Sequence, residues 1–227
     1  MRARISVIVP TLDAEPALQG CFNALLEGLD QGLIRELIVS DGGSSDATGA
    51  VAQAWGAEVI DGAASRGGQL RRGVAAAQGE WFLILHADTV LEKGWAEAVA
   101  AHLESSTDAG WFRLAFDAKG LAPMLVAGWA NLRSHFGLPY GDQGLLVPRD
   151  LYLEVGGYSD QPLMEDVDLA RRLRGRLQAL DAKAVTSASK YRRDGWLRRG
   201  ARNLWTLLRY AAGTPAERLV QSYNRQT

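Results

Sequence analysis

The sequence has little of several features that define common protein classes. One cysteine, Cys21, occurs in 227 residues, so an internal disulfide is excluded and a buried structural thiol in a reducing cytosol is expected. No apolar run approaches the roughly twenty residues that a transmembrane helix needs. No signal-peptide pattern follows Met1. The net charge of −1 gives no overall attraction to nucleic acid. We therefore expect a cytoplasmic protein without a nucleic-acid partner.

Two signatures of nucleotide binding are also missing. The sequence contains no phosphate-loop lysine motif, and Gly67-Gly68 does not complete the dinucleotide pattern G-x-G-x-x-G. Both absences argue against a Rossmann dehydrogenase. A bound diphosphate would need a divalent cation or nearby arginines, and Arg66, Arg71 and Arg72 are available.

What is present predicts an α/β fold. Hydrophobic residues make up 47% of the chain and charged residues 22%, an ordinary globular composition. In the first half, short β-rich runs alternate with helical stretches, which predicts a parallel, doubly wound sheet. The predicted strands cover residues 5–9, 37–40, 58–60 and 81–85. Helices are expected at 15–29, from the loop at 41–46 to about residue 55, and at 65–79.

The second half is less regular. Helices are predicted at 95–103 and 122–136, and a third runs through residue 172. Strands are predicted at 111–116 and 145–147, and one or two short strands within 177–187. The strand at 111–116 could be antiparallel. A polar loop covers 141–144, and a basic amphipathic tail covers 190–212.

Acidic residues follow two of the predicted strands. Asp88 comes after the buried run at 81–85 and Asp41 after the run at 37–40, so both should face one crevice at the carboxyl edge of the sheet. Asp88 could cap a helix, but we favour a ligand for Mn²⁺ or Mg²⁺ beside a phosphate. Asp41 suits a base or ribose contact and a turn equally well. For His86 we expect a neutral, hydrogen-bonding ring rather than a metal ligand.

Glu165-Asp166 opens a predicted helix. The pair could be an ordinary acidic first turn, which the helix dipole favours. It could also supply a general base for an acceptor hydroxyl. Spacing alone leaves both interpretations open.

Four ordered motifs resemble family 2 glycosyltransferases. They are the first strand with Pro10-Thr11, then residues 39–46 (VSDGGSSD), 85–89 (LHADT) and 164–169 (MEDVDL). Residues 79–89, 140–144 and the tail around Trp196–Asn203 are similar to a small bacterial subgroup of these enzymes. The resemblance implies a GT-A (Rossmann-like) α/β fold: a mixed, mainly parallel sheet flanked by helices, with a basic C-terminal helical extension. It implies a catalytic domain at 1–188, with a nucleotide-sugar half at 1–90 and an acceptor half at 91–188, and an extension at 189–227.

The resemblance also implies an activity. A sugar would pass from a nucleotide-diphospho-sugar to an acceptor hydroxyl with inversion, with a divalent metal (Mn²⁺ or Mg²⁺) on Asp88, and with Asp166, beside Glu165, as the base. The donor-binding residues would be Pro10, Thr11, Asp41, Gly42, Ser44, Arg66, Gln69 and Asp88. The acceptor-side residues would be Gly141, Asp142 and Gln143.

Two departures from the family pattern keep other functions open. His86 stands where the Asp-x-Asp motif has its first acid, and Asp13-Ala14 stands where the family has Asn-Glu. A non-catalytic nucleotide-sugar-binding protein therefore remains an alternative. A sugar-1-phosphate nucleotidyltransferase is a second, although no glycine-rich basic loop follows the first strand. The Gln-x-x-Arg-Trp motif of processive synthases is absent.

The tail allows two interpretations. From Lys190 to Arg209 it has seven Lys or Arg against one acid, and an apolar stripe at helical spacing. Such a helix can lie on an anionic membrane, here at its inner face, which would fit a lipid-linked acceptor. It can equally pack on the domain and expose its arginines to water or to an oligomer partner. The stripe consists of Leu197, Ala201, Leu204, Trp205 and Leu208.

Overall fold

A mixed sheet of eight strands forms the centre of the computed structural model, which describes residues 3–224 and the side chains of residues 3–220. The predicted catalytic domain includes residues 1–2 and the predicted C-terminal extension includes residues 225–227, and these five residues lie outside the described residues. The strand order across the sheet is β3-β2-β1-β4-β7-β6-β8-β5. The strands are β1 (Ile5–Thr11), β2 (Ile34–Asp41), β3 (Glu58–Asp61), β4 (Trp81–Ile84), β5 (Thr89–Leu91), β6 (Ala109–Phe116), β7 (Leu145–Pro148) and β8 (Leu177–Thr186).

Helices cover both faces of the sheet. They are α1 (Glu15–Asp30), α2 (Thr48–Ala54), α3 (Arg66–Ala76), α4 (Trp95–Ser105), α5 (Leu121–His135), α6 (Arg149–Glu154), α7 (Glu165–Arg172), α8 (Ser189–Asp194), α9 (Trp196–Ala211) and α10 (Ala216–Asn224). A single 3-10 turn covers Gly141–Gln143. Within residues 3–224, we find no helix with the length and hydropathy that crossing a bilayer requires.

The predicted parallel half is confirmed. β1 pairs in parallel with β2 and β4, and β2 pairs in parallel with β3. Successive side chains of β1 serve different cores, because Val7 and Val9 pack on the α1 side whereas Ile8 packs on the α3 side. Burial on both faces explains why these strands are continuous apolar runs in the sequence.

The strand that precedes Asp88 is shorter than the apolar run predicted. β4 ends at Ile84, although Leu85 remains fully buried and its N–H donates to the carbonyl of Ile8. The chain then turns, with the N–H of Thr89 donating to the carbonyl of His86, and Thr89 begins β5 at the far edge of the sheet. Asp88 therefore lies on a turn between two strands.

The second half converts the parallel sheet into a mixed one. β7 is antiparallel to both β4 and β6, whereas β6 is parallel to β8. The region predicted as one or two strands is one strand, β8, and α6 was not predicted. The tail is divided into α8 and α9 at Gly195, whose φ of +82° suits glycine. The basic amphipathic tail predicted over 190–212 therefore consists of two helices.

Candidate functional site

Arg66 is the first residue of α3 and lies at the centre of the candidate site. Ser65 caps this helix, because its hydroxyl accepts a hydrogen bond from the N–H of Gly68 at 3.3 Å. The guanidinium Nη2 lies 3.2 Å from Nε2 and 3.4 Å from Nδ1 of His86. Its Nε lies 3.5 Å from Oε1 of Glu165. Arg66 thus joins the turn after β4 to the start of α7.

The His86 ring lies against the backbone of Gly141. A Cβ on Gly141 would be only 2.4 Å from Nε2 of His86 and 3.5 Å from Oδ2 of Asp166. Burial and the charge of Arg66 lower the pKa of His86 to about 4, so the ring is neutral at pH 7. A neutral ring is consistent with the hydrogen-bonding role expected from the sequence.

Four carboxylates surround Arg66. Burial alone would lower its pKa, but the charges of these groups outweigh burial and raise it. The four are Glu165, Asp166, Asp88 and Asp142. They come from three separate segments of the chain. Such a site favours a cation together with an anionic ligand.

Two of these carboxylates have raised pKa values. Burial raises the pKa of Asp142 to about 6, against the opposing charge of Arg133. Burial, with the charge of Asp166, raises the pKa of Glu165 to about 7. Oδ1 of Asp142 and Oε2 of Glu165 are buried without a hydrogen-bond partner among the described residues. Asp142 is partly exposed, so its oxygen can accept a hydrogen bond from a bound hydroxyl group.

Asp166 and Glu165 differ in exposure although they are adjacent. Glu165 is 1% exposed, whereas Asp166 is partly exposed. Oδ2 of Asp166 accepts the N–H of Gly141 at 2.7 Å, and Oδ1 accepts the N–H of Val167 at 2.7 Å. Of the two, Asp166 is therefore the one a ligand can reach.

Met164 precedes this acidic pair in a left-handed conformation, with φ of +65°. An L-residue there carries a cost of about 1–2 kcal/mol, which the surrounding structure must offset. Met164 is buried against Val167 and Leu219, so packing holds this conformation. The tight entry to α7 directs its first turn toward the loop at Gly141.

Asp41 holds the loop after β2. Its buried carboxylate accepts hydrogen bonds from Thr11 Oγ1 at 2.7 Å, Gly43 N at 2.9 Å, Ser44 N at 2.7 Å and Ser44 Oγ at 2.6 Å. Burial alone would raise its pKa, but these hydrogen bonds outweigh burial and lower it. Asp41 therefore fills the turn role that the sequence allowed, and a base contact stays a prediction.

The other predicted donor-side residues lie together at the carboxyl edge. The amide Nε2 of Gln69 donates to the carbonyls of Thr11, at 2.7 Å, and Ser40, at 3.0 Å. A Cβ on Gly42 would lie 3.1 Å from the Gln69 amide, so the loop rests directly on it. Pro10 is partly exposed at the end of β1. Gln69 thus joins the ends of two neighbouring strands.

Gln143 supports the loop that carries Gly141 and Asp142. It is fully buried, and its Oε1 accepts hydrogen bonds from Ser134 Oγ at 2.6 Å and Tyr140 N at 3.2 Å. Its side chain therefore points inward and supports the loop. A small cavity is lined by Asp166, Tyr140 and Gly141 among others.

Asp88 is the one predicted metal ligand. Its Oδ2 lies 3.7 Å from Nζ of Lys190, at the start of α8. Residues 3–224 contain no group of three His, Cys, Asp or Glu side chains placed to hold a metal ion. One carboxylate fits a Mg²⁺ or Mn²⁺ ion whose remaining ligands are water and substrate phosphate. The residues present therefore fit a metal shared with a diphosphate, and do not fit an all-protein metal site.

The sequence did not assign Lys190 to the site. In the sequence Lys190 belongs to the basic tail, and its distance from Asp88 along the chain gives no sign that the two side chains meet. The same holds for Arg133, whose guanidinium carbon lies 3.3 Å from the centre of the Tyr140 ring.

Comparisons with known proteins show the family and the fold. The family model described as "Glycosyl transferase family 2" matches residues 6–129. A structure of TarS from S. aureus (residues 1–349) has a TM-score of 0.64 and 15% identity; the match covers 90% of this chain and 64% of that one. The mannosyltransferase PcManGT from Pyrobaculum calidifontis, in complex with GDP-Man and Mn²⁺, has a TM-score of 0.67 and 19% identity, covering 95% and 66%.

Glucosyl-3-phosphoglycerate synthase from Mycobacterium tuberculosis, in complex with Mn²⁺, UDP and glucosyl-3-phosphoglycerate, has a TM-score of 0.57 and 21% identity, covering 82% of this chain and 70% of that one. No curated protein sequence matches the chain. At these identities the solved structures show the fold, whereas the family model covers more than half of the chain. The chain belongs to glycosyl transferase family 2.

Proposed function

We propose that this chain transfers a glycosyl group from a nucleotide-diphospho-sugar to an acceptor hydroxyl, with inversion at the anomeric carbon. The observation that carries the proposal is the position of Asp166. Its carboxylate is partly exposed, is held by the N–H of Gly141, and adjoins Arg66 and His86 at the carboxyl edge of the sheet. A base and a cationic group for phosphate thus lie within one site.

The donor would bind along the ends of β1, β2 and β4. PcManGT was solved with GDP-Man and Mn²⁺, and the mycobacterial synthase with UDP and Mn²⁺, which supports a nucleotide-sugar donor and a divalent metal. Asp88 would hold the metal together with the diphosphate. When bound, the metal would stabilise the negative charge that develops on the departing diphosphate. Arg66, which pairs with Glu165, and Lys190, which pairs with Asp88, would add positive charge there.

Asp166 would take the proton of the acceptor hydroxyl. The hydroxyl oxygen bonds to the anomeric carbon while the bond from that carbon to the diphosphate oxygen breaks, and the diphosphate leaves with the electron pair. Attack opposite the leaving group inverts the configuration, so no covalent bond between sugar and enzyme is needed. The unpartnered oxygen of Asp142 can accept a hydrogen bond from a sugar hydroxyl.

The same proposal includes a lipid-linked acceptor and a place at the inner face of a membrane. The loop with Gly141 follows α5, and α5 has exposed apolar side chains such as Leu121 and Leu125. An acceptor held at a lipid surface would enter the site beside this helix.

Calorimetric titration tests the donor side. Nucleoside diphosphates would be titrated with and without Mn²⁺ into the wild-type chain, Asp88→Asn, and the control Asp30→Asn, an exposed aspartate at the end of α1. We expect Mn²⁺ to raise affinity about 10–100-fold in the wild type and in the control, and most of this gain to be lost in Asp88→Asn. An undiminished gain in Asp88→Asn would rule out the metal assignment.

A further inference from the structure

The helix α9 turns its apolar side outward. Leu197 is 88% exposed and Trp205 63% exposed, and they share one helical stripe with Leu204 and Leu208. The opposite side contains Arg199 and Thr206, both buried. A soluble domain normally buries the apolar stripe of such a helix and exposes the polar one. α9 does the reverse.

The arginines on the inner side of α9 have a partner. Arg199 donates to Oδ2 of Asp194 at 2.7 Å, and Arg202 donates to the same oxygen at 2.8 Å. Asp194 ends α8 and directly precedes Gly195, so this ion-pair cluster fixes the angle at which α9 packs. Arg199 and Arg202 are therefore turned inward, whereas Arg198 is exposed.

The helix α5 has the same reversed arrangement. Its inner side carries Asn131, which exchanges hydrogen bonds with the backbone of Leu114, and the buried Ser134. Its outer side carries six large apolar side chains between 50% and 74% exposed, at intervals of three and four residues. They are Leu121, Met124, Leu125, Trp129, Leu132 and Phe136, the last of which directly follows the helix.

The two helices contact each other, so the two stripes can act as one surface. We call the ten exposed side chains the outer face. They are Leu121, Met124, Leu125, Trp129, Leu132, Phe136, Leu197, Leu204, Trp205 and Leu208. A set of this size exceeds the scattered single apolar residues of ordinary surfaces and marks an interaction site.

The charges around the outer face identify the occupant. Neither α5 nor α9 contains an acidic residue, and together they contain five arginines, of which Arg199 and Arg202 lie on the inner side with Asp194. Lys119, just before α5, and Arg198, within α9, are exposed beside the apolar stripes. Both stripes also include a tryptophan, a side chain enriched at the boundary between lipid and water. Apolar stripes with tryptophan and with exposed basic residues beside them are complementary to anionic lipid headgroups.

The outer face lies close to the candidate site along the chain. α5 leads within a few residues to Gly141, whose N–H binds Asp166. α8, which directly precedes α9, begins beside Lys190, the partner of Asp88. A surface bound to the outer face would therefore lie next to the loops that build the site.

We propose that the outer face binds the surface of an anionic bilayer, with α5 and α9 in the headgroup region and without spanning the membrane. This proposal does not depend on the reaction proposed above, because it rests on the exposed side chains and charges of two helices. Binding combines burial of the apolar stripes with attraction between arginines and anionic headgroups.

Vesicle sedimentation with the full chain tests the proposal. Vesicles of phosphatidylcholine alone are compared with vesicles containing about a third phosphatidylglycerol, at low and high salt. The wild type should bind the anionic vesicles, bind the neutral ones more weakly, and lose affinity as salt rises. Failure to bind either vesicle would overturn the proposal.

A matched pair of double variants locates the surface. Leu125→Gln/Leu197→Gln removes one leucine from each stripe, and Leu29→Gln/Leu153→Gln removes two comparably exposed leucines on α1 and α6. The first pair should lower vesicle partitioning about tenfold or more, and the second should leave it unchanged. Circular dichroism checks that both variants are folded.

Light scattering after size exclusion distinguishes a second copy of the chain as the occupant. If Leu125→Gln/Leu197→Gln converts a dimer to a monomer while vesicle binding persists, the outer face is a subunit interface and the lipid proposal fails. Equal vesicle binding by the two double variants would contradict it as well.

Discussion

Asp166 and Glu165 are neighbours in the chain with different surroundings. Asp166 accepts two backbone N–H groups and remains partly exposed, which keeps a carboxylate positioned where an acceptor can reach it. Glu165 is buried on Arg66, where burial and the charge of Asp166 raise its pKa. We therefore assign proton transfer to Asp166 and the positioning of Arg66 to Glu165.

Asp166→Asn tests this assignment. The amide is nearly the same size but cannot take the proton, so transfer should fall by about 10²–10⁴-fold while donor affinity stays within a few-fold of wild type. Initial rates and donor titration measure both. Asp150→Asn, an exposed aspartate in the first turn of α6, is the control and should retain the wild-type rate. Full transfer by Asp166→Asn would refute its role as the base.

Glu165→Gln tests the raised pKa through stability. The folded state keeps the Glu165 proton up to about pH 7, whereas the unfolded chain releases it near its usual value of 4.5. Between these values the folded state binds more protons, so its stability falls as pH rises. Glu165→Gln removes this loss, so relative to wild type it should be more stable at pH 8 than at pH 5 by about 1–3 kcal/mol. Chemical denaturation at both pH values measures it, and parallel pH profiles would show that Glu165 does not titrate in this range.

At the scale of single elements, the start of α3 depends on a close backbone approach. The N–H of Gly67 donates to the carbonyl of Gln161, and a Cβ there would lie 2.1 Å from the carbonyl oxygen of Ser159. This contact holds the first turn of α3, and hence Arg66, against the segment that leads into α7. The site therefore depends on backbone packing as well as on its charged groups.

Gly67→Ala should displace this segment. Because the methyl group would meet rigid backbone, we expect a loss of about 1–3 kcal/mol in the free energy of unfolding and weaker donor binding. Gly49 lies in α2, and a Cβ added there would meet no neighbouring segment within 4 Å. Gly49→Ala should therefore stabilise the protein by about 0.5–1 kcal/mol. Urea denaturation of both variants measures the difference. Equal effects of the two substitutions would contradict the contact.

How much of each element could be predicted depended on the range of the forces that form it. The runs at β1, β2 and β4 and the stripe of α1 were predictable because local periodicity reflects burial. The end of β4 at Ile84 was not, because Leu85 stays buried after leaving the sheet. Periodicity also revealed the stripe of α9 but not its direction, which is set by Asp194 binding Arg199 and by packing on α5.

At the scale of the whole molecule, the C-terminal extension contributes to the site. Lys190 lies on α8, beyond the last strand, yet its ammonium group approaches Asp88 at the carboxyl edge of the sheet. The approach of Asp41 and Asp88 to one edge was predictable because the parallel strands β2 and β4 end there. The approach of Lys190 was not, because it depends on where α8 packs.

Lys190→Gln should weaken binding of a nucleoside diphosphate. Loss of one exposed positive charge near the phosphates should lower affinity by about 2–10-fold, with a smaller effect at high salt. Lys93→Gln, an exposed lysine before α4, serves as the control and should bind as the wild type does. Calorimetry at two salt concentrations measures both variants, and equal affinities would place Lys190 outside the donor site.

The central claim, that this site transfers sugars, is tested most directly by the products formed from a panel of nucleotide sugars with Mn²⁺. Chromatography would quantify nucleoside diphosphate and inorganic pyrophosphate for the wild type, Asp88→Asn and Asp166→Asn. We predict that the wild type releases nucleoside diphosphate from at least one donor and that both variants lose most of this release. Release of pyrophosphate would indicate nucleotidyl transfer, and donor binding without turnover, with or without added acceptor extracts, would contradict the claim of catalysis.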